Sequence, residues 1–131
     1  LLEVSSEVGE EYGLPSNWFA DVTEVITSDS PEYVFLGDFP PEKPGLRVFS
    51  ASPEYILAMK MRTMRSSLEG NDVKDIWLLL EHCNIDDAEQ AHAWFRKFFP
   101  HDELSPRNEA IIDDLIASKA AGEEYNPMIG W

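Results

Sequence analysis

The tripeptide Ser52-Pro53-Glu54 lies between a short apolar run, Leu46 to Ser50, and a long stretch with helical spacing, and it forces the backbone to change structure there. Proline cannot donate to a sheet ladder, but it fits the first turn of a helix, where its missing N–H would have no partner. A serine before it caps the helix through its hydroxyl, and a glutamate after it suits the positive end of the dipole. The pattern predicts a strand over Leu46 to Ser50 and a helix from about Pro53. That helix is expected to pass through Ile56, Met59, Lys60, Thr63 and Met64 and to end at Gly70, with Asn71 or Asp72 capping the next. In the next helix Val73, Ile76, Trp77, Leu80 and Cys83 take the i, i+3, i+4, i+7 places of one buried face. Asp72, Asp75, Leu79 and His82 fall on another.

The flanks follow the same logic. Leu1, Val4, Val8 and Tyr12 recur at helical spacing and Gly13 ends that helix, while Ser16 opens a second one carrying Trp18, Phe19, Val22, Val25 and Ile26 as far as Ser28. Tyr33 to Leu36 reads as a strand, broken by Gly37-Asp38-Phe39-Pro40-Pro41, so two strands are joined by about nine residues. A lone hairpin is marginal in water, so these strands are expected to lean on the helices or to extend a sheet. Asp86 with Glu89 forms a capping-box-like start for a helix with Ala88, Ala91, Trp94, Phe95 and Phe98 on its apolar stripe, ended by Pro100. Ser105-Pro106 repeats the Ser-Pro start and leads into Ile111, Ile112, Leu115 and Ile116. The tail from Gly122 to Trp131 has no period. The expectation is a single domain over 1–131, mainly helical α+β, with about six helices and a two- or three-stranded sheet. Its core should contain Ile56, Ile76, Trp77, Leu80, Phe95, Phe98, Ile112 and Leu115.

At 131 residues the chain is long enough for one real core, and 44% hydrophobic residues mark it as globular although it is very acidic. Ten Lys and Arg against twenty-five Asp and Glu give a formal charge of −15, a field that repels polyphosphate and argues against generic nucleic-acid binding. Such a charge suits instead a basic protein partner, or an acidic antitoxin-like interaction module. The single cysteine, Cys83, excludes an internal disulfide and points to a cytoplasmic protein. The longest apolar run, Ile76 to Leu80, is far too short to cross a bilayer. The chain opens Leu1-Leu2 without a Met, from which the expectation is that upstream material was removed, lies on another piece or was never part of this gene.

The words Ala51-Ser52-Pro53-Glu54-Tyr55-Ile56-Leu57-Ala58-Met59-Lys60 and Asp72-Val73-Lys74-Asp75-Ile76 resemble the C-terminal portion of a bacterial nucleotidyltransferase-like family related to the AbiEii-type toxins. The likeness continues through Glu89-Gln90-Ala91, Phe98-Phe99-Pro100 and Leu104-Ser105-Pro106-Arg107, over roughly residues 12 to 117. Proteins of that superfamily hold divalent metal on an Asp-x-Asp pair beside a Gly-Ser-like turn, and this chain has neither. What remains is similar to the later motif, in which a helix lysine and acids at the start of the next helix complete the nucleotide pocket. By that likeness Lys60 faces the phosphates and Asp72 and Asp75 support it; Arg62 joins the binding candidates through its place in the positive patch around Lys60. The resemblance implies a fragment without the metal-binding half, acting as a non-catalytic binding or regulatory module. Alternatively it belongs to an active toxin completed by an upstream segment or partner chain, and only then with Mg²⁺ and a nucleoside triphosphate.

The plainer reading makes Lys60 a lysine snorkelling from an apolar face, and Asp72 and Asp75 a cap and a first-turn charge. Lys60, Arg62 and Arg65 form the densest positive patch, able to hold an anion or to pair with Glu54 and Glu69. His82, His92, His101 and Cys83 do not have metal-site spacing, so no metal is expected on them. A protein partner or homodimer is expected, and no membrane.

Overall fold

In a computed structural model of the chain, residues 2–15, 28–43, 45–65 and 71–126 are described. They form α1 (Leu2–Tyr12), β1 (Tyr33–Phe39), β2 (Leu46–Ala51), α2 (Pro53–Thr63), α3 (Asp72–His82), α4 (Ala88–Phe98) and α5 (Pro106–Ala120). The architecture is the expected mainly helical α+β, with five helices and a two-stranded antiparallel sheet among the described residues. The helix expected after Ser16, the end of a helix at Gly70 and the tail at Trp131 lie outside them.

The Ser-Pro punctuation works as physical chemistry requires. Ser52 Oγ accepts the Tyr55 N–H at 3.2 Å at the start of α2, and Ser105 Oγ accepts the Asn108 N–H at 3.1 Å at the start of α5. At α4 the cap is Asp87 rather than Asp86: its carboxylate accepts the Glu89 N–H at 3.3 Å, two residues on, so no capping box forms. Asn84, at φ 52°, ends α3, and the Ile85 N–H reaches back to the Leu80 carbonyl at 2.9 Å, which closes the last turn with a residue that tolerates the left-handed region.

Helix α2 is the hub, packed chiefly against α3 and α4 with α5 behind. Its buried stripe is Tyr55, Leu57, Ala58 and Met61, which meet Ile76, Trp77 and Leu80 of α3, Phe95 and Phe98 of α4, and Ile112 and Leu115 of α5 in one core. Ile56 was expected in that core and is only half-buried. The helix is turned so that Tyr55 points inward, where its ring packs on Phe98 at 4.9 Å and its hydroxyl accepts the Ser28 N–H at 2.9 Å. The turn puts Ile56, Met59 and Lys60 at the surface instead.

Helix α2 also stops earlier than expected, at Thr63. In a continuing helix the Arg65 N–H would donate to the Met61 carbonyl. Here Met61 O accepts the buried Asn108 side-chain amide from α5 at 3.0 Å, and the Arg65 N–H donates to Asp72 Oδ2 at 3.1 Å. Two side chains from other helices therefore satisfy the groups that one more turn would have paired.

The sheet pairs Tyr33 with Ala51 and Phe39 with Leu46, and an irregularity between Phe35 and Gly37 inserts Leu36 as a bulge. Strand β1 thereby runs through the expected break at Gly37, and Asp38 meets Arg47 across the ladder at 2.9 Å. Lys97 of α4 pairs with Glu32 at 2.8 Å, just before β1, while resting over the Trp94 ring at 4.5 Å. This ties the root of the hairpin to the helices. Removing the Asn108 amide strands a buried carbonyl, so Asn108→Ala is expected to lower unfolding stability by about 1–3 kcal/mol, read by urea denaturation, with an unchanged m-value.

Candidate functional site

Lys60 leaves α2 near its C-terminal end, and Asp72 and Asp75 lie in the first turn of α3, one helical turn apart on one face. Packing of α2 on α3 brings the three together. Lys60 Nζ donates to Asp72 Oδ1 at 2.8 Å and to Asp75 Oδ2 at 2.8 Å. Arg65 reaches the other oxygen of Asp72 twice, with its backbone N–H at 3.1 Å and its Nε at 3.2 Å. Asp72 is therefore engaged on both oxygens and its side chain is only 10% exposed, against 41% for Asp75. Asn71 supplies no side-chain cap to α3, and the Asp72 carboxylate is turned to the two cations.

The cluster borders two shallow grooves. One, of about 360 Å³, is lined by Ile56, Met59, Lys60, Thr63, Arg65 and Asp72. The other, of about 280 Å³, is lined by Ile56, Lys60, Asp75, Leu78 and Leu79. Lys60 and Ile56 line both, with Met59 adding apolar surface to the first and Leu78 and Leu79 to the second.

Burial pulls the Lys60 pKa down, but the hydrogen bonds and charges of Asp72 and Asp75 outweigh it and leave the ammonium above its ordinary value. For Asp72, burial pushes the pKa up, and the bonds from Lys60 and Arg65 win and hold it below the usual carboxylate range. Both residues are thus charged at neutral pH.

Of the four residues singled out in the sequence, the fold brings Lys60, Asp72 and Asp75 together and sets Arg62 apart. Arg62 is two residues, or about 200°, further round α2. Its Nε pairs with Asp102 at 2.8 Å and its guanidinium lies over the Phe99 ring at 4.9 Å. Neither Arg62 nor Arg65 takes Glu54 as its partner, and Glu69 lies outside the described residues. Arg65, noticed in the sequence only as part of a positive patch, stands in the groove that Arg62 was expected to serve. Asn108 carried no signal in the sequence: nothing separates it from other polar residues of a first helical turn.

The donor set does not fit a divalent metal. Asp72 has both oxygens committed to Lys60 and Arg65, which leaves Asp75 as a single carboxylate. Among the described residues no three His, Cys, Asp or Glu side chains converge as a metal site would require. His92 pairs with Asp113 at 3.1 Å between α4 and α5.

Residues 19–130 match the model of the family described as Nucleotidyl transferase AbiEii toxin, Type IV TA system. The chain belongs to the AbiEii family. Lys60, Asp72 and Asp75 all fall inside the matched part of this AbiEii chain. No curated protein and no solved structure matches it. No helix among its described residues is long and apolar enough to cross a membrane.

The sign of the pKa shifts gives a pH test. Because the folded-state pKa of Asp72 is lowered, its contribution is complete above the ordinary carboxylate range and is lost as pH falls through the folded value. Because that of Lys60 is raised, its contribution is complete below the ordinary lysine range and is lost as pH rises through the folded value. Asp72→Asn is expected to reduce stability by about 1–3 kcal/mol at pH 7, and the gap to the unmodified chain should narrow as pH falls below the ordinary carboxylate range.

Proposed function

We propose that this chain is a nucleotidyltransferase-like module without the metal-binding half of the site, acting as a non-catalytic binding or regulatory element that takes the phosphates of a nucleotide at Lys60. The observation that carries this reading is the Lys60 ammonium held 2.8 Å from both Asp72 and Asp75 on the rim of an open groove, within a chain of the AbiEii family. On a chain with a formal charge of −15, the two cations and two carboxylates here sum to zero, so an anion meets less local repulsion than over the acidic surface elsewhere. An arriving phosphate competes with Asp75, the more exposed carboxylate, for the same ammonium. That competition points to weak affinity, around 1 mM, or roughly 4 kcal/mol.

A second reading, an active nucleotidyltransferase completed by an upstream segment or partner chain, draws support from the family's description and from the sheet. Among the described residues each strand has a neighbour on one side only, which leaves an edge for further strands. Mg²⁺ and the triphosphate would then depend on carboxylates outside this chain. The toxin–antitoxin designation of the family supports a protein partner, and the bare hairpin edges support a homodimer.

Three measurements test these readings. Nucleoside triphosphate at millimolar concentration is expected to raise the melting temperature of the unmodified chain and to leave that of Lys60→Ala at its own, lower ligand-free value; equal responses to ligand would remove Lys60 from the site. The chain alone, given Mg²⁺ and labelled triphosphate, is expected to transfer no label to RNA or protein, and transfer abolished by EDTA would establish the enzyme reading. Light scattering at micromolar concentration is expected to give twice the mass of one chain, and a single-chain mass throughout would exclude the homodimer.

A further inference from the structure

We infer that Arg65, not Arg62, is the second anion-binding cation of this groove, and that Asp72 is a positioning residue that aims Lys60 and Arg65 at one ligand. The inference rests on the reading that the groove takes phosphate. Arg65 lies just beyond α2, and its backbone and side chain are held by the same Asp72 oxygen, at 3.1 and 3.2 Å. That grip uses Nε alone. Among the described residues the two Nη groups have no partner, and the side chain is 64% exposed beside Lys60 and Thr63 on the groove wall. A guanidinium fixed through Nε presents its Nη pair as a fork, the geometry that meets two phosphate oxygens at once.

Arg62 is occupied in another way. Its Nε pairs with Asp102 and its plane covers Phe99, among residues that line a separate cavity with Pro100 and His101. To reach the Lys60 groove it would have to leave both partners and pass round the helix.

Asp72 has the complementary place. It is the least exposed member of the cluster, it accepts from Lys60 on Oδ1 and from Arg65 on Oδ2, and no oxygen is left over for a ligand cation. Its carboxylate sets the spacing between the two cations. Asp75, bound to Lys60 through one oxygen and more exposed, is the group an incoming phosphate displaces.

The test is calorimetric titration of inorganic pyrophosphate into the folded chain, well below its melting temperature, at low salt. The unmodified chain is expected to bind, and Lys60→Ala and Arg65→Ala are each expected to weaken binding about tenfold or more. Arg65→Lys should recover little of the loss, because one ammonium cannot hold Asp72 and fork onto phosphate together. Arg62→Ala should bind as the unmodified chain does. Asp72→Asn keeps both cations and should still weaken binding, which a purely structural carboxylate would not do once circular dichroism shows the fold intact. Binding that is lost in Lys60→Ala but kept in Arg65→Ala, or weakened as much in Arg62→Ala, overturns this inference and leaves the phosphate site standing. No binding by the unmodified chain overturns both.

Discussion

One carboxylate does most to decide how this chain is arranged around its groove. Asp72 accepts three hydrogen bonds from groups separated from it by seven and twelve residues, and each bond has a different structural effect. The bond from Lys60 fastens α2 to α3. The bond from the Arg65 backbone ends α2 and turns the chain away. The bond from Arg65 Nε fixes the direction of a long side chain that would otherwise sample many rotamers. Removing an ion pair of this kind at an exposed surface usually changes little, because water replaces either partner. Here the acceptor is nearly dry and one of its donors is backbone, so water cannot easily take its place.

What was legible in the sequence was local chemistry. Ser52-Pro53 and Ser105-Pro106 specify helix starts whatever surrounds them, since cap, first-turn proline and dipole act within one turn, and both appear as read. The stripe Val73, Ile76, Trp77, Leu80 is legible for a similar reason: one side of α3 is continuously apolar, and the buried side follows. Helix α2 failed that test because it is apolar nearly all round. Tyr55, Ile56, Leu57, Ala58 and Met59 leave periodicity no polar side to register against, and tertiary contacts chose Tyr55 over Ile56. The end of α2 was illegible because it is made by Asp72 and Asn108, whose roles come from where α3 and α5 sit.

The candidate site divides along the same line. Lys60, Asp72 and Asp75 could be grouped by spacing and resemblance, because acids one turn apart at a helix start face one way. Choosing between Arg62 and Arg65 needed the helix end: with α2 drawn through to Gly70, the two arginines look alike. The stop at Thr63 makes one a helix residue stacked on Phe99 and frees the other to swing back to Asp72. Here a tertiary detail of backbone termination selects which side chain reaches the groove.

The hairpin shows a different compromise. Four successive residues, Tyr33 to Leu36, are each about half exposed, and neighbours on a strand point to opposite faces, so both faces of the arm are partly open. An apolar ribbon whose edges have no neighbour among the described residues is the kind of template from which chains stack into fibrils. Two local irregularities oppose that outcome. The bulge at Leu36 bends the ladder out of the flat register that stacking needs, and Asp38 with Arg47 places an ion pair across the ribbon. Repeated addition of identical strands would bring like charges into line there. The arm resists open-ended growth by crookedness and charge rather than by cover.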